Sequence, residues 1–344
     1  MGRAFGWNGE RGRRVKIAIV DSGIDNTHPA FQDASLQPPP GYPMGDAAYT
    51  NGKIIVARSY EPMFALPDDA TPRDRSGHGT ALEMIAAGET NTGPLATITG
   101  VAPKSWLGNY KIFGTPGVND NATYAAAIQA LEDDPTRYTT VQGSSFAAAM
   151  VAGAAALVKQ ANPGFSAAQI KSALVNTASV SPNDIADNSD SGEPLIAAVG
   201  AGKLNATAAL APGATVSPAT VSFGWVGPGS VATPVHLTVT NVGQAAATFK
   251  ISSTPDPVTP DQDTSDVVSV SPGSLQLAAG QQADVDVTLQ GGFTVPGIYD
   301  GVIGITGAGT NLRVPYWYLE SDGVPFDILP VYDSSFFGTE GDTC

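Results

Sequence analysis

Three polar residues occur, in chain order, in settings that suit a nucleophilic hydrolysis: Asp21 at the end of an apolar run, His78 between two glycines, and Ser145 at the opening of a long helix of small residues. A serine hydroxyl is a poor nucleophile at neutral pH. To attack an amide carbonyl it needs a base that takes its proton, here the imidazole of His78. That base in turn needs a carboxylate, here Asp21, which fixes its tautomer and stabilises its cation. The helix opening adds an electrostatic element, because its first backbone N–H groups have no partner within the helix and lie at the positive end of the macrodipole. The N–H of Ser145 is therefore placed to donate to a developing oxyanion. Each residue alone also has a structural use: Ser145 as a helix cap, Asp21 and His78 as turn residues. It is the coincidence of all three, each in the setting its role needs, that points to catalysis. His28, before Pro29, reads as a loop histidine, and His236, on the outward face of a strand, as inert.

The elements around these residues alternate between strand and helix. Val15 to Val20 is a β-rich, mostly apolar run of the kind found in a buried parallel strand, and it delivers Asp21 to the strand's C-terminal end, where open α/β sheets place their sites. Residues 32–52 read as a surface excursion rich in Pro, Gly and Tyr, followed by a second strand at Lys53–Ala57 and a third at Leu107–Phe113. After Arg75-Ser76-Gly77-His78-Gly79-Thr80, residues Ala81–Ala87 predict a helix closed by Gly88. Asn119 to Asn121 cap another, with Tyr124, Ile128 and Leu131 on one face and Pro135 as its stop; a short link, Tyr138–Gln142, leads to the serine helix. The pattern Ser166-Ala167-Ala168-Gln169 is a capping box opening a further helix with Ile170, Ala173 and Leu174 as its core stripe. Strands alternating with helices predict an α/β layer built on a parallel sheet.

The pattern changes after Leu210. Val235, Leu237 and Val239 alternate with His236, Thr238 and Thr240, and Val285, Val287 and Leu289 alternate with Asp284, Asp286 and Thr288. With turns at Asn241-Val242-Gly243 and Val295-Pro296-Gly297, this period of two predicts an all-β antiparallel sandwich. The acidic loop Asp256–Asp266 is either a solvated loop or a place for a structural calcium ion, and residues 321–344 read as an irregular tail or the start of a further module.

Composition narrows the partners. With 344 residues and 42% hydrophobic content the chain is long enough for two cores. A formal net charge of −15 argues against nucleic acid and anionic membrane as partners, since both demand a basic face. The longest apolar run, Phe146–Val158, ends at Lys159 and reads as too short and too rich in Gly and Ala for a membrane span. The one cysteine, Cys344, allows no intrachain disulfide. Met1–Arg14 is polar, carries Arg3, Arg11, Arg13 and Arg14, and has no signal-peptide core, so if the protein is exported its signal is expected outside this chain.

The segments Ile19-Val20-Asp21-Ser22-Gly23-Ile24-Asp25, Gly77-His78-Gly79-Thr80 and Gly143-Ser144-Ser145-Phe146-Ala147-Ala148 together resemble the Asp, His and Ser signatures of the subtilisin-like serine peptidases, the subtilases or peptidase S8 family. Gly100-Val101-Ala102-Pro103-Lys104, Ile170 to Ala178 and Gly200 to Ala206 are similar to that family's connecting pattern. The resemblance covers most of residues 10–210 and implies a parallel α/β sheet flanked by helices. It also implies endoproteolysis of a polypeptide through an acyl-enzyme, with Asp21, His78 and Ser145 as the triad and no cofactor needed for the chemistry. Residues 215–320 are similar to the fibronectin type III-like domain of large secreted members, which implies an extracellular or cell-surface setting.

The sequence departs from the family in several places. His78 and Ser145 are 67 positions apart, and the family separates them by more than twice that. The expected intervening strand–helix units are missing, together with the asparagine that gives a second oxyanion donor; Asn109, Asn119 and Asn121 do not match it by motif. Ala81 stands where His is usual, and Ala149-Met150 where Pro-His is usual. A shortened sheet is expected to leave apolar surface and an edge open. Three readings follow: an endopeptidase, a catalytically dead remnant, or a cell-surface adhesion module acting through its β-rich half.

Overall fold

The structure, a computed structural model, describes residues 11–63, 69–93, 96–114, 143–180, 196, 199–227, 230–255, 267–291 and 296–320. The helix expected around Tyr124, Ile128 and Leu131, with Asn119 and Asn121, the link 138–142, the acidic loop 256–266 and the tail 321–344 lie outside these residues.

The first half is built on a sheet of β1 (Lys16–Asp21), β2 (Met44–Gly45), β3 (Ile54–Ser59) and, after the small pair β4 (Asn91–Thr92) and β5 (Thr97–Ile98), β6 (Trp106–Lys111). The order is β1-β6-β3-β2 and every pairing is parallel. Expected as a strand buried on both faces, β1 is instead one-sided: Ile17, Ile19 and Asp21 are buried, while Lys16, Ala18 and Val20 face outward, Val20 with 57% of its surface exposed. The reason is topological. Among the described residues β1 ends the sheet, and its outer face is left exposed at Ala18 and Val20, with the Tyr42 ring lying against Lys16 Nζ at 4.8 Å.

Four helices are described: α1 (His78–Ala87), α2 (Ser144–Ala161), α3 (Ala167–Val175) and α4 (Ala206–Leu210). α1 starts at His78 itself, three residues before the start expected at Ala81, because the bend that ends the preceding loop falls at Gly77, whose φ of 85° is left-handed. Small residues let α2 lie close to α1. A Cβ on Gly153 would stand 2.7 Å from the Ala86 carbonyl oxygen and 2.6 Å from Val101 Cβ, so no larger residue fits without moving the helices apart. Ala149, Ala154, Ala156, Leu157 and Val158 complete the buried face, packed with Ile17, Ile19, Leu82 and Leu107. At 18 residues and mean hydropathy 1.2, α2 is longer than the sequence run suggested and meets the length and composition of a membrane span. Its buried stripe is nevertheless part of this core. α3 carries the expected capping box, Ser166 Oγ accepting from Gln169 N and Gln169 Oε1 from Ser166 N.

The second half comprises β7 (Ala214–Ser217), β8 (Val221–Val226), β9 (Val235–Asn241), β10 (Ala247–Pro255), β11 (Val267–Ser271), β12 (Ser274–Leu277), β13 (Gln282–Gln290), β14 (Gly297–Gly307) and β15 (Thr310–Glu320). They form two sheets, β12-β10-β14-β15-β8 and β11-β13-β9-β7, antiparallel except for the β15–β8 pair. Leu237, Val239, Val285 and Val287 from one sheet share a core with Phe249, Ile303, Ile305 and Val314 from the other. The alternation of the sequence is visible in burial: His236 and Asp286 lie outside, with Nδ1 and Oδ1 2.6 Å apart.

The halves are joined at α3. Ser172 Oγ accepts from Val216 N at 2.8 Å and donates to Asn176 Oδ1 at 2.8 Å, and Asn176 Nδ2 donates to Ala219 O at 2.7 Å and Arg313 O at 2.8 Å. Both side chains are fully buried. Asn176→Ala removes the donor to the buried Ala219 carbonyl and the bond to Arg313 O, and a loss of about 1–3 kcal/mol is expected. Urea unfolding followed by tryptophan fluorescence and circular dichroism measures it.

One group in α1 opposes folding. Glu83 is fully buried, and among the described residues neither of its carboxyl oxygens has a hydrogen-bond partner. Burial first, then the charges of Asp74 and Asp21, push its pKa well above the usual carboxyl value, with Lys53 opposing. A carboxyl whose folded pKa exceeds its unfolded value holds its proton more tightly in the fold. Its ionisation therefore costs stability as pH rises from about 4.5 towards the folded pKa. Glu83→Met is expected to raise stability at pH 8 by about 1–3 kcal/mol, and by less at pH 4. Thermal melts across that pH range read the difference.

Candidate active site

Asp21 sits where β1 hands over to a loop pinned on several sides. Its carbonyl oxygen accepts from Ile112 N at 2.7 Å, tying the strand end to the exit of β6. Its carboxylate Oδ1 accepts from Ser22 N at 2.7 Å and stands 2.7 Å from His78 Nδ1. A carboxylate only accepts, so this contact puts the imidazole proton on Nδ1 and makes Nε2 the basic nitrogen of the ring. Both side chains are over nine-tenths buried, so little water competes for the bond.

His78 reaches Asp21 because the start of α1 approaches the loop after β1 very closely. A Cβ on Gly79 would stand 2.3 Å from Gly23 O and 3.2 Å from Asp21 Oδ1, so the glycine after the histidine is a packing requirement. The segment before α1 is anchored beneath the strand ends. Ile24 N and Asn109 Nδ2 donate to Pro72 O at 3.2 and 2.8 Å, Lys111 Nζ donates to Arg73 O at 2.8 Å, and Asp74 N donates to Ile24 O at 3.2 Å. Asn109 is thus a buried structural amide, in keeping with its failure to match the oxyanion motif.

Sequence reasoning missed the residue that ties these segments together. Asp74 Oδ1 accepts from Ser22 Oγ at 2.9 Å, Ser76 N at 2.9 Å, Ser76 Oγ at 3.3 Å and Gly77 N at 2.9 Å, while Oδ2 accepts from Thr80 N at 2.9 Å and Thr80 Oγ1 at 2.6 Å. The available signal was an acidic residue followed closely by Ser, Gly and a helix, which marks a turn-and-cap position.

Ser145 is the second residue of α2 and is half-buried. It is not the helix cap: that position belongs to Gly143, and no side chain caps this end. The capping use open in the sequence is therefore unfilled, and Ser145 lies in the first turn, where backbone N–H groups have no intrahelical acceptor. The next residue, Phe146, places its ring 5.7 Å from the His78 imidazole, centroid to centroid, at 53°. The structure thus brings Asp21 and His78 into direct contact and sets the serine turn against the imidazole through Phe146. His28 caps a short 3-10 turn, accepting from Ala30 N at 3.2 Å. Among the described residues no group of three or more His, Cys, Asp or Glu is arranged to hold a metal ion.

The sequence pattern of the Subtilase family, peptidase S8, matches residues 12–137 and 132–202, together more than half of the chain. Among curated proteins, the chain is 31% identical over 150 residues to the Arabidopsis thaliana subtilisin-like protease SBT1.4, covering 37% of this chain and 19% of that protein. It is 36% identical over 161 residues to SBT4.12 of the same plant, covering 42% and 21%. The chain spans about a fifth of the length of the relatives it matches. Among solved structures, similarity is found to a PapD-like domain of human CEP192, with 16% identity, 32% of this chain and 86% of that one covered and a TM-score of 0.26. WR4, a member of the MSP family from C. elegans, gives 14% identity, 32% and 100% coverage and a TM-score of 0.23, and at such scores neither defines a fold here. On the match across residues 12–202, the chain belongs to the subtilase family.

Proposed function

We propose that the chain is a serine endopeptidase that cleaves polypeptides through an acyl-enzyme, with Ser145 as nucleophile, His78 as general base and then acid, and Asp21 as the group that orients and stabilises the imidazole. The observation that carries the reading is the buried 2.7 Å contact between His78 Nδ1 and Asp21 Oδ1, beside the first turn of the serine helix. In the first step Ser145 Oγ attacks the peptide carbonyl as its proton passes to His78 Nε2, and the imidazolium formed is stabilised by Asp21. The oxyanion accepts from the Ser145 backbone N–H at the positive end of α2. His78 then returns the proton to the leaving amine, and water hydrolyses the ester by the same route in reverse.

The relatives are subtilisin-like proteases by name, which supports peptide bonds as the substrate. We read the β-rich half as a fibronectin type III-like module, the loop 256–266 as a place for a structural calcium ion, and the working environment as extracellular or cell-surface.

A second reading, a catalytically silent subtilase, is favoured by the open outer face of β1 and by the commitment of the Asn109 amide to Pro72 O. Removing one oxyanion donor from a site of this kind costs about a hundred- to a thousandfold in turnover. A fluorophosphonate serine-hydrolase probe separates the two. Labelling mapped to Ser145 by peptide mass spectrometry, and absent in Ser145→Ala, is the expected result. No labelling, or equal labelling of Ser145→Ala, rejects the active enzyme in favour of the silent one.

A further inference from the structure

We propose that Asp74 is a positioning residue for the Asp21–His78 pair, its two carboxyl oxygens setting the approach of the strand end that carries Asp21 to the helix start that carries His78. The inference rests on the reading of Asp21 and His78 as an acid–base pair.

The bonds of Asp74 fall on two sides. On the helix side, the N–H groups of Ser76, Gly77 and Thr80 and the hydroxyls of Ser76 and Thr80 all end on its carboxyl group. This satisfies helix-end donors that Gly77, lacking a side chain, leaves without a cap. On the strand side, Ser22 Oγ donates to Oδ1 at 2.9 Å and itself accepts from Gly79 N at 2.8 Å, while Ser22 N donates to Asp21 Oδ1 at 2.7 Å. The result is a closed ring. From Asp74 one path runs through Ser22 to Asp21, the other through the first turn of α1 to His78, and the 2.7 Å His78–Asp21 contact closes it.

A cap needs only the helix side of this ring. The bond from Ser22 Oγ to Asp74 is not made to a helix N–H; it fixes Ser22, the residue after Asp21, and through the same hydroxyl's bond from Gly79 N it sets that residue against the one after His78. Asp74 is also over nine-tenths buried, so water does not replace a lost bond readily. Bonds on both sides, made by one rigid planar group, hold the imidazole and the carboxylate in register in the way an enzyme's supporting residues must. Thr80 Oγ1 extends the ring by accepting from Asp25 N at 3.0 Å.

The test reads the His78–Asp21 bond directly and does not require turnover. His28 and His236 are replaced by Asn, leaving His78 as the one histidine of the three in the chain. The downfield Nδ1–H resonance of a carboxylate-bonded imidazole is then observed by NMR. Asp21→Ala is expected to abolish it. Ser22→Ala, which cuts the link from Asp74 to the strand end and also removes the acceptor of Gly79 N, and Asp74→Asn, which removes an acceptor on the helix side, are each expected to shift it upfield or lose it to exchange while circular dichroism stays native. A merely structural role lowers the melting temperature and leaves the resonance of the folded protein where it was. That result in Ser22→Ala, and in Asp74→Asn if it folds, overturns the proposal. If Asp74→Asn does not fold, Ser22→Ala decides alone. An unchanged resonance in Asp21→Ala overturns the acid–base pair itself, and the positioning role with it.

Discussion

The hydrogen bond between Asp21 and His78 joins two segments that share no secondary structure: the C-terminal end of a strand and the N-terminal end of a helix. Neither end fixes the other on its own. The bond exists because residues 72–74 are stitched beneath both β1 and β6, by Ile24, Asn109 and Lys111, and because Gly79 lets α1 come within van der Waals reach of the loop at Gly23. Remove those constraints and the imidazole has no reason to face the carboxylate. The chemistry proposed for Ser145 depends on this arrangement, since a serine hydroxyl without an oriented base is unreactive at neutral pH.

Much of this was legible in the sequence where a local rule applied. The alternation of Val285, Val287 and Leu289 with polar residues gives the inward face of β13 because strand side chains alternate with period two. Ser166 and Gln169 make their capping box because both partners lie within one turn. Asp21, His78 and Ser145 were legible as a set, each having a recognisable setting, and the structure brings the first two into contact. Asp74 was not legible. Its partners at Ser22 and at residues 76–80 are separated from one another by over fifty positions and meet only in the fold. The same holds for Glu83, which looks like an ordinary helical acid until the packing of α1 buries it. The outer face of β1 was misread for the opposite reason: an apolar run does not disclose whether a neighbour exists to cover it.

The two halves of the chain are not independent beads. α3 faces the first core with Ala173 and Leu174 and meets the second half through Ser172 and Asn176, so one short helix serves both. Polar bonds between buried side chain and backbone specify this joint geometrically, where an apolar contact alone would allow sliding. Stability in the β-rich half is thereby coupled to the core that carries α2 and, through it, to the turn that holds Ser145.

The central claim is that Asp21 makes His78 an effective base for Ser145. The most direct measurement is the second-order rate constant for phosphonylation of Ser145 in the unsubstituted chain and in Asp21→Asn. The account predicts a fall of about a thousand- to ten-thousandfold, because the asparagine favours the wrong imidazole tautomer. Equal rate constants in the two proteins would contradict it.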